Sequence, residues 1–334
     1  MPQSLFFVIP ALNEEGSLEQ LGSEIVTAMS SYAGSWQACF IDDGSTDRTW
    51  AIITELSQKH TSIQGIRFRR CFGKSAALAA GFAQASGDIV VTLDGDLQDD
   101  PAEVAGMLSL LNEQKLDLVS GWKKVRHDPW HKVFPSRVFN WMVSWITGVK
   151  LHDHNCGLKL MKREVVQELH LYGERHRFIP VLAAARGFKV GEKVVRHRVR
   201  QFGHSKYGMG RFIKGFLDLM TVRFLTSYEH RPQHLLGIGG ILFAILGMLG
   251  MGYLSIDWLL HTNQPGHIPL HQRPLLTYSV TSLLLGVQLF SMGLLAELVT
   301  SQRRRPEDAY GIAERTSKGA KSQESEARSN QSFP

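Results

Sequence analysis

Through the first two-thirds of the chain, short apolar runs alternate with longer amphipathic ones. Leu5 to Ile9, Ala38 to Ile41, Ile63 to Phe68 and Ile89 to Leu93 are too short for helices and rich in β-branched or aromatic residues, so they predict buried strands. Between them, Glu14 to Met29, a stretch from about Thr46 capped by Ser45 or Thr46, and Ala76 to Ala85 have helical spacing. The order βαβαβαβ predicts an α/β fold with a mostly parallel sheet, helices on both faces and right-handed crossovers. Further on, Glu174 to Pro180 opens a short helix and Phe188 to Val195 reads as another strand.

Towards the end the pattern changes. Leu235 to Ile256 and Leu275 to Ala296 each run for 22 residues without a charge, more than the ~20 that a bilayer core of about 30 Å requires. They predict a transmembrane helical hairpin joined by the loop Asp257 to Pro274. Basic flanks at Arg223 to Arg231 and Arg303 to Arg305 place both ends in the cytoplasm and the loop outside, as for a multi-pass protein of the cytoplasmic membrane. Gly208 to Phe224 sets Phe212, Phe216, Leu217, Leu219 and Met220 among Arg211, Lys214 and Arg223, the composition of an interfacial helix. The predicted division is a catalytic domain over 1–207, interfacial amphipathic helices over 208–233, two transmembrane helices over 234–301 and a disordered Ser-, Lys-, Glu- and Gln-rich tail over 302–334. Trp130 to Gly148, aromatic and basic, reads either as a segment touching lipid headgroups or as a core-facing helix.

Composition refines this picture. The net charge of +6 is concentrated between Arg186 and Arg231 and at Arg303 to Arg305, beside the apolar runs, which points to a membrane surface and not to nucleic acid. Cys39, Cys71 and Cys156 are far apart, so neither a disulfide framework nor a zinc site is expected, and a reducing compartment is the default. MPQSLFFVIPAL has no basic segment ahead of its apolar run, so no signal peptide is expected.

The chemistry gathers at strand ends. Asp94 and Asp96 follow the Ile89 strand, at the sheet edge where open α/β folds bind ligands, and can share a hard cation that neutralises a diphosphate. Asp99 and Asp100, just before Pro101, read instead as helix caps. The turns Pro10 to Glu15 and Asp42 to Asp47 belong to the same edge; Asp43 could accept from a base N–H, and Gly44 would allow close backbone approach. Gly73-Lys74-Ser75 imitates the end of a P-loop, but Phe68 stands where that motif needs glycine, which leaves Lys74 either in solvent or reaching a phosphate. In His152-Asp153-His154 no further ligand follows at metal spacing, so Asp153 reads as an active-site carboxylate. Arg196 to Tyr207 is uniformly basic around Gly203 and Ser205, as suits phosphate binding by Arg200 and Lys206.

VIPALNEE, IDDGSTDRT, LDGDLQDDP, HDHNCGLKLM, ERHRFIP and RQFGHSKYG occur here in the order seen in family 2 glycosyltransferases that load sugars onto polyprenyl phosphates. Over about residues 4–300 the chain resembles that group, which includes dolichol-phosphate mannose synthases and bactoprenol glucosyltransferases. The resemblance implies a GT-A fold, Rossmann-like, a UDP- or GDP-linked sugar donor, an undecaprenyl or dolichyl phosphate acceptor, Mg2+ or Mn2+, inversion at the sugar carbon, and possible homo-oligomers. It places Pro10, Asn13, Glu14 and Asp43 at the nucleotide, Asp94, Asp96 and Gln98 at the metal and diphosphate, Asp153 in the catalytic pocket, and Arg200, Ser205 and Lys206 at phosphate. Gly121-Trp122-Lys123 departs from the group's GSR, which puts a phosphate contact there in doubt. Two alternatives are a transferase acting on another lipid or a polysaccharide, against which the missing QxxRW motif counts, and an inactive scaffold, against which the retained acids count.

Overall fold

The computed structural model describes residues 2–124, 130–199, 218–223, 232–261 and 268–303. Its first part is an alternating series: β1 (Leu5–Ala11), α1 (Leu18–Met29), β2 (Trp36–Asp42), α2 (Thr49–Lys59), β3 (Ile63–Arg67), α3 (Lys74–Ala83), β4 (Ile89–Thr92), α4 (Glu103–Glu113) and β5 (Leu118–Trp122). There follow α5 (Trp130–Thr147), β6 (Lys159–Lys162), α6 (Arg163–Glu168), a 3-10 turn (Arg175–Phe178), α7 (Ile179–Ala185) and β7 (Val190–Val194). The last two helices are α8 (Pro232–His261) and α9 (Pro274–Arg303).

The strands form one seven-stranded sheet in the order β3-β2-β1-β4-β6-β5-β7. All pairings are parallel except those of β6, which runs antiparallel to both β4 and β5. The expected mostly parallel sheet is present, and the reversed β6 is a feature that the run of apolar segments does not reveal. Alternation along β1 divides the core: Leu5, Phe7, Ile9 and Ala11 pack with residues of α1, α2 and α4, while Phe6 and Val8 pack with α3, α6 and α7 on the other face.

Two helix starts differ from expectation. α1 begins at Leu18 rather than Glu14: residues 15–17 form a turn, with the Ser17 N–H on the Glu14 carbonyl, and the Glu14 and Glu15 amides donate across to Thr49 and Asp47. α2 begins at Thr49, and Ser45 does not cap it: the Ser45 hydroxyl accepts the Asn13 N–H at 2.9 Å.

The core-facing reading of the Trp130 segment holds for one face of α5. Phe139 and Val143 are buried in a third apolar cluster with Phe178, Val181, Leu219 and Val222, the last two from the helical residues 218–223. On the other side Trp141 and Trp145 are 67% and 73% exposed, with their rings stacked 6.1 Å apart.

α8 and α9 contain spans, Leu236–His261 and Pro274–Val299, long and apolar enough to cross a membrane. They approach closely at small residues: a β-carbon on Gly247 would lie 2.6 Å from the Leu283 amide nitrogen and 2.7 Å from the Ser279 carbonyl. At the loop end, Asp257 of α8 is ion-paired with Arg273, the residue before α9.

Candidate active site

The carboxyl edge of the parallel strands brings the predicted loops together. β1 lies between β2 and β4, so chain direction across the sheet reverses between β1 and β4, the place where such folds open a ligand crevice. The Pro10–Glu14 turn and the 42–49 turn are laced to each other. Asn13, with φ 53°, accepts the Thr46 N–H on Oδ1 at 2.9 Å, and the Glu14 N–H donates to Thr49 Oγ1 at 2.9 Å. The Ser17 hydroxyl donates to the Gly95 carbonyl at 2.7 Å, which ties the start of α1 to the acid turn after β4.

Asp43 is buried, and its two oxygens accept the Phe72 and Gly73 amides at 2.7 and 2.9 Å. It therefore organises the 71–73 segment at the start of α3, and only its remaining lone pairs are available to a ligand. Gly44 answers to the same segment: at φ 75° its β-carbon would stand 2.5 Å from the Arg70 carbonyl carbon. Here the closely approaching backbone is the protein's own.

Asp94 and Asp96 follow β4, with Leu97 at φ 62° turning the chain and the Gln98 N–H donating to Asp96 Oδ1 at 3.2 Å. Lys74 turns to the acid turn: its ammonium donates to Asp94 Oδ1 at 2.5 Å. Burial pushes the Asp94 carboxyl up, but Lys74, with Lys123 and Lys159 further off, outweighs it and holds the group at about 2. Asp94 is thus an anion at every physiological pH.

The donor set fits a hard cation. Among the described residues no three His, Cys, Asp or Glu side chains converge, so an all-protein cage of the zinc type is absent there. One turn presenting an ionised carboxylate and a second one beside it suits Mg2+ or Mn2+, which take phosphate oxygens and water for their other positions.

Asp99 is not a helix cap. It is 1% exposed, ion-paired with Lys123 at 2.7 Å, and bridged through its backbone to His197. Burial opposes the Lys123 charge, yet Asp99 and Asp94 lift its pKa above lysine's ordinary range. Lys123, the departure from GSR, is thereby spent on a carboxylate. Asp100 does accept the Ala102 N–H at 3.0 Å, as a capping residue would, and also meets Arg198 at 2.8 Å.

Antiparallel β6 delivers residues 153–159 to the same edge. Asp153 is 1% exposed and its Oδ1 accepts the Asn155 N–H at 3.1 Å. His154 is buried, bonded through Nε2 to the Ser144 hydroxyl at 2.9 Å, and pushed down to about 4 by burial. His176 pairs through Nδ1 with Ser75 Oγ at 3.0 Å, and burial with Lys74 and Arg177 nearby lowers it to about 2. Both rings are neutral at pH 7. Lys159 opens β6, buried, with its ammonium donating to the Cys156 carbonyl. A lone lysine inside Leu158-Lys159-Leu160-Met161 was the sequence signal for it, since a charge within an apolar strand is rarely idle.

The basic segment starts from the acid turn. Arg198 N–H donates to the Gln98 carbonyl at 3.0 Å, and its guanidinium bridges Glu24 and Asp100 at 2.7 and 2.8 Å. Arg198 is therefore a structural tie, not a phosphate ligand. Arg200, Ser205 and Lys206 lie outside the described residues.

Residues 6–169 match the family described as Glycosyl transferase family 2. The chain is 38% identical over 299 residues to a dodecaprenyl-phosphate galacturonate synthase of Rhizobium johnstonii, covering 88% of this chain and 87% of that protein. Among solved structures it is similar to glucosyl-3-phosphoglycerate synthase of Mycobacterium tuberculosis. In complex with Mn2+, UDP and phosphoglyceric acid, that protein gives a TM-score of 0.52 at 19% identity, over 67% of this chain and 78% of the other. With Mn2+, UDP-glucose and glycerol 3-phosphate the TM-score is 0.50 at 20% identity, over 67% and 80%. At such identities the likeness is one of fold, and the fold is GT-A-like.

Proposed function

The chain belongs to glycosyl transferase family 2 and is a glycosyltransferase related to polyprenyl-phosphate sugar synthases; from that premise we propose that it moves a sugar from a nucleotide-sugar donor to a polyprenyl phosphate at a membrane surface, with inversion. The observation that carries the reading is the hydrogen bond from Arg198 N–H to the Gln98 carbonyl. It starts the basic segment on the acid turn, and in the sequence that segment precedes two helices long enough to cross a membrane.

In this reading Pro10, Asn13, Glu14 and Asp43 frame the nucleotide. Asp94 and Asp96, with Gln98 beside them, would hold a Mg2+ or Mn2+ ion. When bound, that cation neutralises the diphosphate and makes it a better leaving group. Asp153 lines the pocket of the transferred sugar. Arg200, Ser205 and Lys206 take the acceptor phosphate, and Trp141 and Trp145 rest at headgroup depth.

A phosphate oxygen of the lipid attacks the anomeric carbon opposite the leaving group. The new C–O bond forms as the bond to the donor's β-phosphate oxygen breaks, and its electron pair leaves with the nucleoside diphosphate. A phosphate monoester has a second pKa of about 6, so it is largely dianionic at neutral pH and no strong base is required. The protein's task is to hold two anions in line. UDP is the nucleotide chosen over GDP. For the sugar, the galacturonate synthase relative leaves a neutral hexose and a hexuronate to be decided between.

The test is purified full-length protein with UDP- and GDP-sugars, short polyprenyl phosphates and Mn2+, with products read by mass. A glycosyl phosphoryl polyprenol is expected; transfer only to a glycan or to another lipid would overturn the reading. Replacing Arg200 and Lys206 by Gln should weaken the acceptor by roughly 10- to 100-fold through lost charge-assisted hydrogen bonds, and leave the donor nearly unaffected.

A further inference from the structure

The chain from 148 to 158, which carries Asp153, is neither helix nor strand, so no ladder fixes it. Several of its backbone groups are taken instead by side chains of the surrounding elements. The Gly157 carbonyl accepts the Thr92 hydroxyl, at the end of β4, at 2.7 Å, and the Asp153 carbonyl accepts the Ser120 hydroxyl of β5 at 3.4 Å. The His152 N–H donates to Glu192 of β7 at 2.8 Å. Two residues one turn apart on α5 add the remaining pair of ties. The Ser144 hydroxyl donates to the Leu151 carbonyl at 3.0 Å, and Asn140 Oδ1 accepts the His154 N–H at 3.3 Å. Asp153 lies between the two points that α5 grips.

Ser144 also sets the state of the His154 ring. That ring is buried and neutral at pH 7, so one nitrogen carries a hydrogen and the other a lone pair. Ser144 has a single hydroxyl hydrogen, and the Leu151 carbonyl, an acceptor only, takes it. The 2.9 Å contact between Ser144 Oγ and His154 Nε2 therefore has Nε2–H as its donor, which leaves the lone pair on Nδ1. Asn140 agrees with this assignment. Its Nδ2 is a buried donor without a hydrogen-bond partner among the described residues, and a lone pair on His154 Nδ1, likewise unpartnered there, makes that atom an acceptor and not a competing donor.

We propose that Asn140 and Ser144 are positioning residues for transfer: they fix His154 as its Nε2–H tautomer and, by gripping Leu151 and His154 on either side, aim Asp153. In the reading above, on which this inference rests, Asp153 lines the pocket of the transferred sugar. The hydrogen bonds of this clamp run to the 151–154 segment and not to the turns that frame the nucleotide. The clamp therefore bears on the rate of transfer and leaves UDP affinity alone. A displacement of about 1 Å at a positioned group can cost about 10²-fold in turnover.

The experiment has two arms, both on the full-length protein. In the first, histidine labelled with 15N in its ring is read by NMR at pH 7, and the signals that vanish in His154→Gln are assigned to His154. They should be those of a neutral ring protonated at Nε2; a ring protonated at Nδ1 would overturn the inference. The second arm measures transfer from UDP-galacturonate and UDP-glucose to a short polyprenyl phosphate, with UDP binding by calorimetry in Mn2+. Ser144→Ala, Asn140→Leu and His154→Leu should each lower kcat by roughly 10- to 100-fold, while UDP binds within about twofold of the original. Ser144→Thr, which keeps the hydroxyl, and His154→Gln, whose amide N–H replaces Nε2–H, should recover most of the rate. Full turnover by Ser144→Ala, or a loss shared by the conservative variants and by UDP binding, would reduce the clamp to framework and overturn the inference. Should Ser144→Ala prove unfolded by its thermal midpoint, the His154→Leu and His154→Gln pair carries the comparison. Transfer only to another acceptor, with kcat falling in the clamp variants as stated, would sink the proposed function and keep the clamp. Transfer to polyprenyl phosphate that Ser144→Ala leaves intact would do the reverse. The tautomer is read without turnover, so it decides the clamp even where neither donor is transferred.

Discussion

Gly157 stands so close to the carboxylate of Asp94 that a β-carbon on it would lie 2.5 Å from both Cγ and Oδ2. Lys74 holds the same carboxylate by Oδ1. Gly157→Ala must therefore displace Asp94, and a shift of about 1 Å in a positioning group can cost about 10²-fold in turnover. Transfer should fall by that order, with a raised Mn2+ requirement and little change in thermal midpoint. Asp96→Ala is the comparison: it should abolish transfer at any Mn2+ concentration while the protein stays folded. Full turnover by Gly157→Ala would mean that the observed position of Asp94 is not the working one.

Lys74→Met should change the pH profile as well as the rate. With Lys74 present, Asp94 is held at about 2 and does not shape activity between pH 5 and 8. Without it, burial acts on Asp94 with less opposition, and its pKa rises. The variant should lose activity preferentially on the acid side, a shift readable from rates at pH 5, 6.5 and 8. A profile that keeps its shape would show that Lys123 and Lys159 suffice to keep Asp94 ionised.

His154 makes stability depend on pH. Burial lowers its folded pKa to about 4, from 6.5. Between those values the unfolded chain binds more protons, so stability is complete above about pH 6.5 and falls as the pH drops towards 4. At about 1.4 kcal/mol per pKa unit, the loss is on the order of 3 kcal/mol. His176, lowered to about 2, adds to the same slope. Thermal midpoints in detergent should drop across this window, and His154→Gln, which keeps a hydrogen-bonding group near Ser144, should flatten the drop.

Orientation is open to cysteine labelling. Cys39 and Cys156 are buried and Cys71 is exposed, so Cys71→Ser supplies the background. In it, Gln272→Cys, between the two long helices, should be labelled by an impermeant reagent on intact cells, and a cysteine beyond Arg305 should not. The opposite pattern would place the acid edge away from cytosolic nucleotide sugars.

Much of the fold was legible because it is local. β1 to β4 are short runs of β-branched or aromatic residues between turn residues, and α8 and α9 declare themselves by length and lack of charge. Once a parallel sheet is inferred, strand ends share an edge, so Asp43, Asp94 and Asp96 could be grouped without coordinates. What tertiary structure alone decided is which charges meet. The reversal of β6 depends on pairing with β4 and β5 together, and four residues, Lys-Leu-Met-Lys, carry no periodicity to announce it. That reversal brings Gly157 against Asp94 and Lys159 to the sheet edge. Asp99 reads as a cap because Pro101 follows two residues later, but its partner is Lys123, just past the end of β5. Side-chain periodicity follows from backbone geometry a few residues long, whereas ion pairs and pKa values depend on distances between segments far apart in the chain, and those distances exist only once the sheet has assembled.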